Sequence, residues 1–321
     1  MKKLWWVSLV AILAVGLAAS MVSAATLTVN KPGAGGVPPD YTNIEDAITA
    51  ASALVIDTIL VYPGTYHPPT GSPGGYMVNK PVIIKSQQGA DKTKIVTADN
   101  DDLGFIITAN NVTISGFTIK PPYNTIVAVN TAGIVIGGTD LYTPVSTALT
   151  GVTVTKCVVE FFGLGCGIAV TKANGAHLTN NTLRHNYYGV YLYSGNGNHY
   201  DILNTEISQN QIYENDNYGV RLLDGDNFGV SFEGTHISSN TFYRNGADDT
   251  NAPCNWNRQG IHLRQTHGTI EIKNNKFLKL GDTATYGYIY EDSGSPIIVR
   301  SGNKAFNKMT GHLTGGATTI D

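Results

Sequence analysis

Charge is scarce in this chain of 321 residues: Asp, Glu, Lys and Arg make up only 14%, against about 25% in an average soluble domain. A disordered segment or a coiled coil needs far more. No basic run exceeds Lys2-Lys3, and the formal net charge is −3, so a nucleic-acid backbone finds no electrostatic footprint. Three cysteines, Cys157, Cys166 and Cys254, are too few for a disulfide framework and have no CxxC metal spacing. One disulfide with one thiol left over is the most they allow. Beyond the N-terminus, no apolar stretch is long enough to span a bilayer.

The N-terminus itself reads as a targeting segment. Lys2-Lys3 precedes the apolar stretch Leu4 to Ala19, and Val22-Ser23-Ala24 supplies small residues where a signal peptidase cuts. Cleavage is expected after Ala24. That makes 1–24 a signal peptide and 25–321 the exported domain, with no stable membrane span and a secreted, periplasmic or envelope-associated location. An uncleaved anchor over Leu4 to Val22 is the rival reading.

Turn-forming residues are abundant. The chain has 36 Gly and 28 Asn, with 20 of the Asn between Asn174 and Asn307, which points to a turn recurring at intervals. One motif recurs: Val112-Thr-Ile-Ser-Gly-Phe-Thr-Ile119 aligns with the segments beginning at Val152, Ala176, Thr205, Thr235 and Ile270. Its sixth position is Phe117, Cys157, Asn181, Asn210, Asn240 and Asn275, at separations of 40, 24, 29, 30 and 35 residues. A second short strand follows each time, as in Gly189-Val-Tyr-Leu192, Gly219-Val-Arg-Leu222 and Gly260-Ile-His-Leu263.

Both strand types alternate apolar and polar residues, and no helix-length segment lies between them, so α/β crossovers are absent. Parallel strands must then stack coil on coil around a shared apolar interior, with the recurring Asn at a corner. About ten coils at ~4.8 Å each would make a rod roughly 50 Å long. The one convincing helix lies near the start. Thr42-Asn-Ile-Glu45 reads as a capping box, and Ile44, Ala47, Ile48 and Ala51 form one apolar face. Helix Asn43 to Ser52 is expected to close the open N-terminal end, with residues 25–66 forming the cap and first coil.

Thr42 to Ala51, then Asp57-Thr-Ile-Leu-Val-Tyr-Pro-Gly-Thr-Tyr66, then Asn-cornered coils with Gly-Ile-x-Leu strands resemble the pectin-lyase-like right-handed parallel β-helix superfamily. The style is closest to NosD-type and general β-helix repeat proteins. The resemblance covers residues 25 to 321 and specifies an all-β, single-stranded right-handed parallel β-helix. It specifies function weakly. Tyr62 to Tyr66 is similar to the start of pectin methylesterases, but no later Asp-bearing segment follows. The Gly-His-Gly of polygalacturonases and the Asp-Pro-His-Glu of alginate epimerases are missing. NosD-type proteins are associated with copper delivery, yet no Met-rich or Cys-His cluster occurs here.

Strand register supplies the candidate residues. Val135, Ala169, Tyr191, Arg221 and His262 should follow one another up the outer face of the Gly-Ile-x-Leu strands, with Tyr193, Leu223 and Arg264 as a parallel column. In superfamily lyases, the resemblance implies, this sheet floors the polysaccharide cleft, with an Arg or Lys as base and carboxylates holding Ca²⁺. Carried over, the candidate catalytic residues are Arg221, His262 and Arg264, and the candidate Ca²⁺ ligands are Asp224 and Asp226. Tyrosines offer flat faces for sugar rings, making Tyr191 and Tyr193 candidate substrate-binding residues. Trp256 and Arg258 join them from the loop 247–258, since a long insertion is often functional. Ordinary solvated outward residues are the bland alternative.

A second outward column reads His177, Glu206, His236 and Glu271. It could hold zinc or copper, although opposite charges alternating up a stack need no metal to explain them. Two functional classes stay open. One is an exported protein that binds, and could cleave by a lyase-type mechanism, a polysaccharide or cell-surface glycan. The other is a non-catalytic envelope scaffold or adhesion rod.

Overall fold

The computed structural model describes residues 23–31, 38–71, 74–100, 102–123, 131–197, 199–246, 259–278 and 289–306. The chain winds into a parallel β-helix in which each coil contributes three strands, one to each of three faces. The first face runs upward from Thr26–Val29 through Asp57–Val61, Val82–Ser86, Val112–Ser115, Thr153–Thr155, His177–Thr179, Glu206–Ser208 and Thr235–Ser238. The second runs from Gly64–Tyr66 to Lys304–Phe306. The third includes Ala132–Ile136, Cys166–Val170, Tyr188–Ser194 and Tyr218–Asp224. Strand Gln259–Lys273 belongs to the third face with its first half and to the first face with its second.

The recurring eight-residue motif is therefore two short strands with a bend between them. In Thr235 to Phe242 the strands are Thr235–Ser238 and Thr241–Tyr243. Ser239 bends the chain with φ of 58°, as do Asn180, Gln209 and Asn274 at the matching positions. A left-handed backbone costs a non-glycine residue about 1–2 kcal/mol. The next residue repays part of that cost through hydrogen bonds.

Asn210 shows how. Its Oδ1 accepts from the Asn181 backbone N–H at 2.8 Å, while its Nδ2 donates to the Leu178 carbonyl at 2.7 Å and to Asn240 Oδ1 at 3.0 Å. The same pattern passes from Asn240 to Asn275 and on to Asn303. These side chains are all but fully buried, so each unmade bond would carry a full desolvation penalty. A second buried ladder, Asn186, Asn215 and Asn245, fixes the next corner in the same way.

Inward positions form one continuous core, including Ile114, Val154, Leu178, Ile207, Ile237 and Ile272 on the first face. The interior is narrow where the third-face strands begin. A Cβ on Gly219 would lie 2.6 Å from the Gly260 carbonyl and 2.8 Å from the Phe242 ring, so only glycine fits. The N-terminal helix is Ile44–Ala50 and buries Ile44, Ala47 and Ile48 against the first coils. Its N-cap is Asn43 rather than Thr42. Asn43 Oδ1 accepts from the Asp46 N–H at 2.7 Å, and the Asp46 carboxylate accepts from Asn43 Nδ2. Cys157 lies in the interior and Cys166 beneath the outer third face, both as free thiols; Cys254 falls outside the described residues. Among the described residues, no helix is long and apolar enough to cross a membrane.

Candidate functional site

The outer column of the third face has the expected register: Val135 pairs with Ala169, Ala169 with Tyr191, Tyr191 with Arg221, and Arg221 with His262. Tyr193, Leu223 and Arg264 run beside it. This face is not an ordinary solvated surface. Val135 and Ala169 are fully buried, and Tyr191 and His262 retain only 6% and 3% of their exposure. Leu103, Ile106, Leu141, Cys166 and Leu223 complete an apolar cluster on the outside of the sheet.

Above that cluster, the covering turns polar and aromatic. Tyr188 and Tyr218 stack at 5.7 Å, Tyr218 and His262 at 4.4 Å, and His262 and Tyr290 at 5.5 Å. Tyr191 lies 4.8 Å from Tyr188 and 5.2 Å from Tyr193. Tyr193 lies over two glycines, since a Cβ on Gly195 or Gly225 would come within 3 Å of its ring or hydroxyl. Tyr142 meets it edge-on at 5.5 Å.

Arg221 is enclosed by these rings. Its guanidinium carbon is 5.3, 5.7 and 5.1 Å from the ring centres of Tyr188, Tyr191 and Tyr218, within cation–π range. Nη1 donates to the Tyr188 hydroxyl at 2.5 Å. Among the described residues, no carboxylate pairs with it, and its Nε is buried with no acceptor. Burial opposes the charge, but the surrounding phenol groups outweigh it and hold Arg221 above its ordinary pKa. His262 behaves oppositely. Burial, then the charges of Arg221 and Arg264, push its pKa down to about 3, and its Nδ1 is also buried without a partner. Arg264 is half-exposed, with Nε 3.5 Å from Asp292 Oδ2.

The structure thus unites Arg221, His262, Tyr191 and Tyr193, with Arg264 at the rim. Asp224 and Asp226, expected to hold Ca²⁺, are occupied with backbone amides. Asp224 is fully buried, and its Oδ2 accepts from Gly229 at 2.8 Å and Val230 at 3.0 Å. Asp226 accepts from the Gly197 N–H at 2.7 Å. Calcium takes six to eight oxygens, and no three His, Cys, Asp or Glu side chains converge among the described residues. The pair does not fit that ion. Trp256 and Arg258 lie outside the described residues. Tyr188 and Tyr218, absent from the expected site, each precede the glycine of a Gly-Val-x-Leu strand, a Tyr-Gly repeat visible in the sequence.

On the first face, His177 Nδ1 lies 2.8 Å from Glu206 and His236 Nδ1 lies 3.0 Å from Glu271. Glu206 also accepts from Ser208, and Lys273 lies 2.9 Å from Glu271. These exposed or partly exposed groups pair His to Glu up the face. A separate hollow of about 330 Å³, lined by Pro81, Thr108, Asn110, Ser146 and Thr147 among others, carries no charged side chain.

The family described as "right handed beta helix region" matches residues 103–303, more than half of the sequence. The chain belongs to this right-handed β-helix family. Among solved structures, it is similar to pectate lyase Pel9A, with 14% identity, TM-score 0.51, and 92% of this chain and 82% of that one covered. It is also similar to pectin methylesterase PemA from Erwinia chrysanthemi, with 9% identity, TM-score 0.53, and 92% and 91% covered. At such identities the likeness is one of fold. No curated protein matches the sequence.

Proposed function

We propose that this β-helix protein is exported and binds an acidic or neutral polysaccharide along the outer third face. Tyr188 and Tyr193 would offer ring faces there, while Arg221 and Arg264 would engage acidic groups. The observation that carries this reading is Arg221, a mostly buried guanidinium held by three aromatic rings and one phenol, with no carboxylate partner among the described residues. Buried charges are ordinarily paired. A ligand carboxylate would complete the set with a charge-assisted bond. The names of the similar structures, a pectate lyase and a pectin methylesterase, support a polysaccharide as ligand. The Lys2-Lys3 start and apolar segment support export.

Binding is better supported than cleavage. A general base works best with a pKa near the operating pH, whereas Arg221 is shifted upward and His262 far downward. The test is a glycan array read with the wild type and with Arg221→Ala/Arg264→Ala. Wild-type binding to at least one glycan, abolished in the double variant, is expected. Full binding by the double variant removes the groove, and no wild-type binding to any glycan leaves the scaffold reading. Cleavage has its own readout: ultraviolet absorbance from an unsaturated uronate, which no substrate should produce if the face only binds.

A further inference from the structure

Beside Tyr193, the outer third face holds a recess that the groove at Arg221 leaves unused. Tyr142, Tyr193 and Tyr200 wall it, with Leu141 and Pro144 next to them. It spans about 190 Å³ including its mouth, yet leaves room for only about one water-sized group. No charged side chain lines it. Its two aliphatic hydroxyls are already committed: Thr171 Oγ1 donates to the Ile136 carbonyl at 3.2 Å, and Ser194 Oγ accepts from the Tyr200 N–H at 3.0 Å.

The walls are held in place. Gly138 pairs with Pro144, and the Thr139 N–H donates to the Thr143 carbonyl at 2.9 Å, which folds residues 138–144 into a tight strap. Asp140 Oδ1 accepts from the N–H groups of Tyr142 and Thr143, both at 2.7 Å. Leu141 anchors the strap in the outer apolar cluster. The Lys172 ammonium lies 3.2 Å from the Tyr200 ring centre and donates to the Ser146 carbonyl at 2.7 Å, so it ties that wall to the chain leaving the strap. Walls fixed in advance spare a ligand the entropy of ordering them.

The recess is also continuous with the groove. The Tyr193 ring is 5.2 Å from that of Tyr191, which is 5.7 Å from the Arg221 guanidinium carbon. A sugar chain with a carboxylate at Arg221 and a ring on Tyr193 therefore brings its next substituent to Tyr142 and Tyr200.

We propose that this recess takes the methyl end of an ester substituent on the sugar chain, either an O-acetyl group or a methyl ester. The assignment rests on the polysaccharide reading of the same face. The enclosed space is too small for a whole sugar ring. With no charged side chain lining it, a carboxylate entering it would lose water without gaining a partner. A methyl group loses nothing there and gains contact with three aromatic rings. Arg221 and the recess then read opposite features of one polymer, a bare acid and a capped one.

Calorimetry with an O-acetylated polyuronate, and with the same polymer after mild alkali has removed its acetyl groups, tests the assignment. Wild type is expected to bind the acetylated form at least ~10-fold more tightly, the low end of what one well-housed methyl group supplies. Tyr200→Ala should erase most of that difference, while Tyr200→Phe, which keeps the ring, should retain it. A partly methyl-esterified polymer is the second arm and shows which ester is read. Equal binding of the bare and both esterified polymers by wild type overturns the recess and leaves the groove at Arg221 standing. So does a preference that survives in Tyr200→Ala, because the methyl group would then sit elsewhere. Should Tyr200→Ala fail to fold, Tyr142→Ala, on the strap, removes another wall and is read by the same criteria. Failure of all three polymers to bind removes the ester site, whereas the groove itself is decided by the glycan array.

Discussion

Two outer columns climb the same solenoid, and only one of them faces water. On the first face, Thr153, His177, Glu206, His236 and Glu271 follow one another as exposed or partly exposed side chains, with His177 against Glu206 and His236 against Glu271. On the third, Ala169, Tyr191, Arg221 and His262 occupy the equivalent outward positions and are mostly buried. Strand alternation dictates which way a side chain points. What covers it decides whether its charge is solvated or stays available for a ligand.

The sharpest way to break this contrast is to place the same charge at both positions of one coil. Thr153 and Ala169 lie on the first and third faces of the coil that begins at Val152. Ala169→Glu would bury an unpaired carboxylate in the outer apolar cluster, at a cost of about 3–5 kcal/mol. Thr153→Glu, beside His177, should stay within about 0.5 kcal/mol of wild type. Urea midpoints of the two variants give the comparison directly, and equal losses would show that the third face is not covered in solution.

Acid separates the columns next. In the unfolded chain His262 titrates at the ordinary imidazole value of 6.5, but burial and the nearby arginines hold it at about 3 in the folded protein. Between those values the unfolded state binds the proton and the folded state does not, so stability falls as pH drops from 6.5 toward 3. The loss attributable to this residue is about 3 kcal/mol by pH 4. His262→Gln should flatten that limb of the stability profile, whatever it does to stability at pH 7. Glu206 has linkage of the same sign, but in the carboxylate range rather than the imidazole range. Its pKa is lowered by the hydrogen bonds from Ser208 and His177, so its stabilisation is present above the ordinary carboxylate range and fades below it, weakly for an exposed side chain.

A smaller effect tests the orientation of Arg221. Tyr188→Phe keeps the ring and removes only the hydroxyl that accepts from Nη1. Losing a hydrogen bond to a charged group costs about 1.5–3 kcal/mol, so glycan affinity measured by calorimetry should weaken by roughly 10-fold or more. Affinity unchanged in Tyr188→Phe would mean that the rings alone hold the guanidinium.

Much of this was legible in the residues, for a physical reason. The pairing of Tyr191, Arg221 and His262 follows from a period of two and a fixed motif, both properties of the backbone. The Asn corner at Asn181, Asn210, Asn240 and Asn275 was visible too. The second ladder was missed although its signal is plain, since Asn186, Asn215 and Asn245 each lie five residues after a member of the first. The cover over Ala169 and the turn role of Asp224 were not legible. The first depends on Leu141 approaching from another coil and the second on the turn that folds Gly229 and Val230 back onto Asp224, neither of which strand periodicity encodes.

The smallest effect belongs to the exposed ladder. His177 and Glu206 are both about half exposed in a 2.8 Å pair, and such pairs contribute at most about 1 kcal/mol and weaken with salt. His177→Ala/His236→Ala should therefore lower the thermal midpoint only slightly, and 0.5 M NaCl should erase most of the difference. A metal site would behave otherwise. An ion bound only by the folded state must raise the midpoint by mass action, and imidazole ligands hold it only in their unprotonated form. Thermal unfolding of metal-stripped protein with zinc or copper is expected to show no shift dependent on His177 and His236. A large rise that vanishes in the double variant would overturn the charge-ladder reading and put a second site on the exposed face.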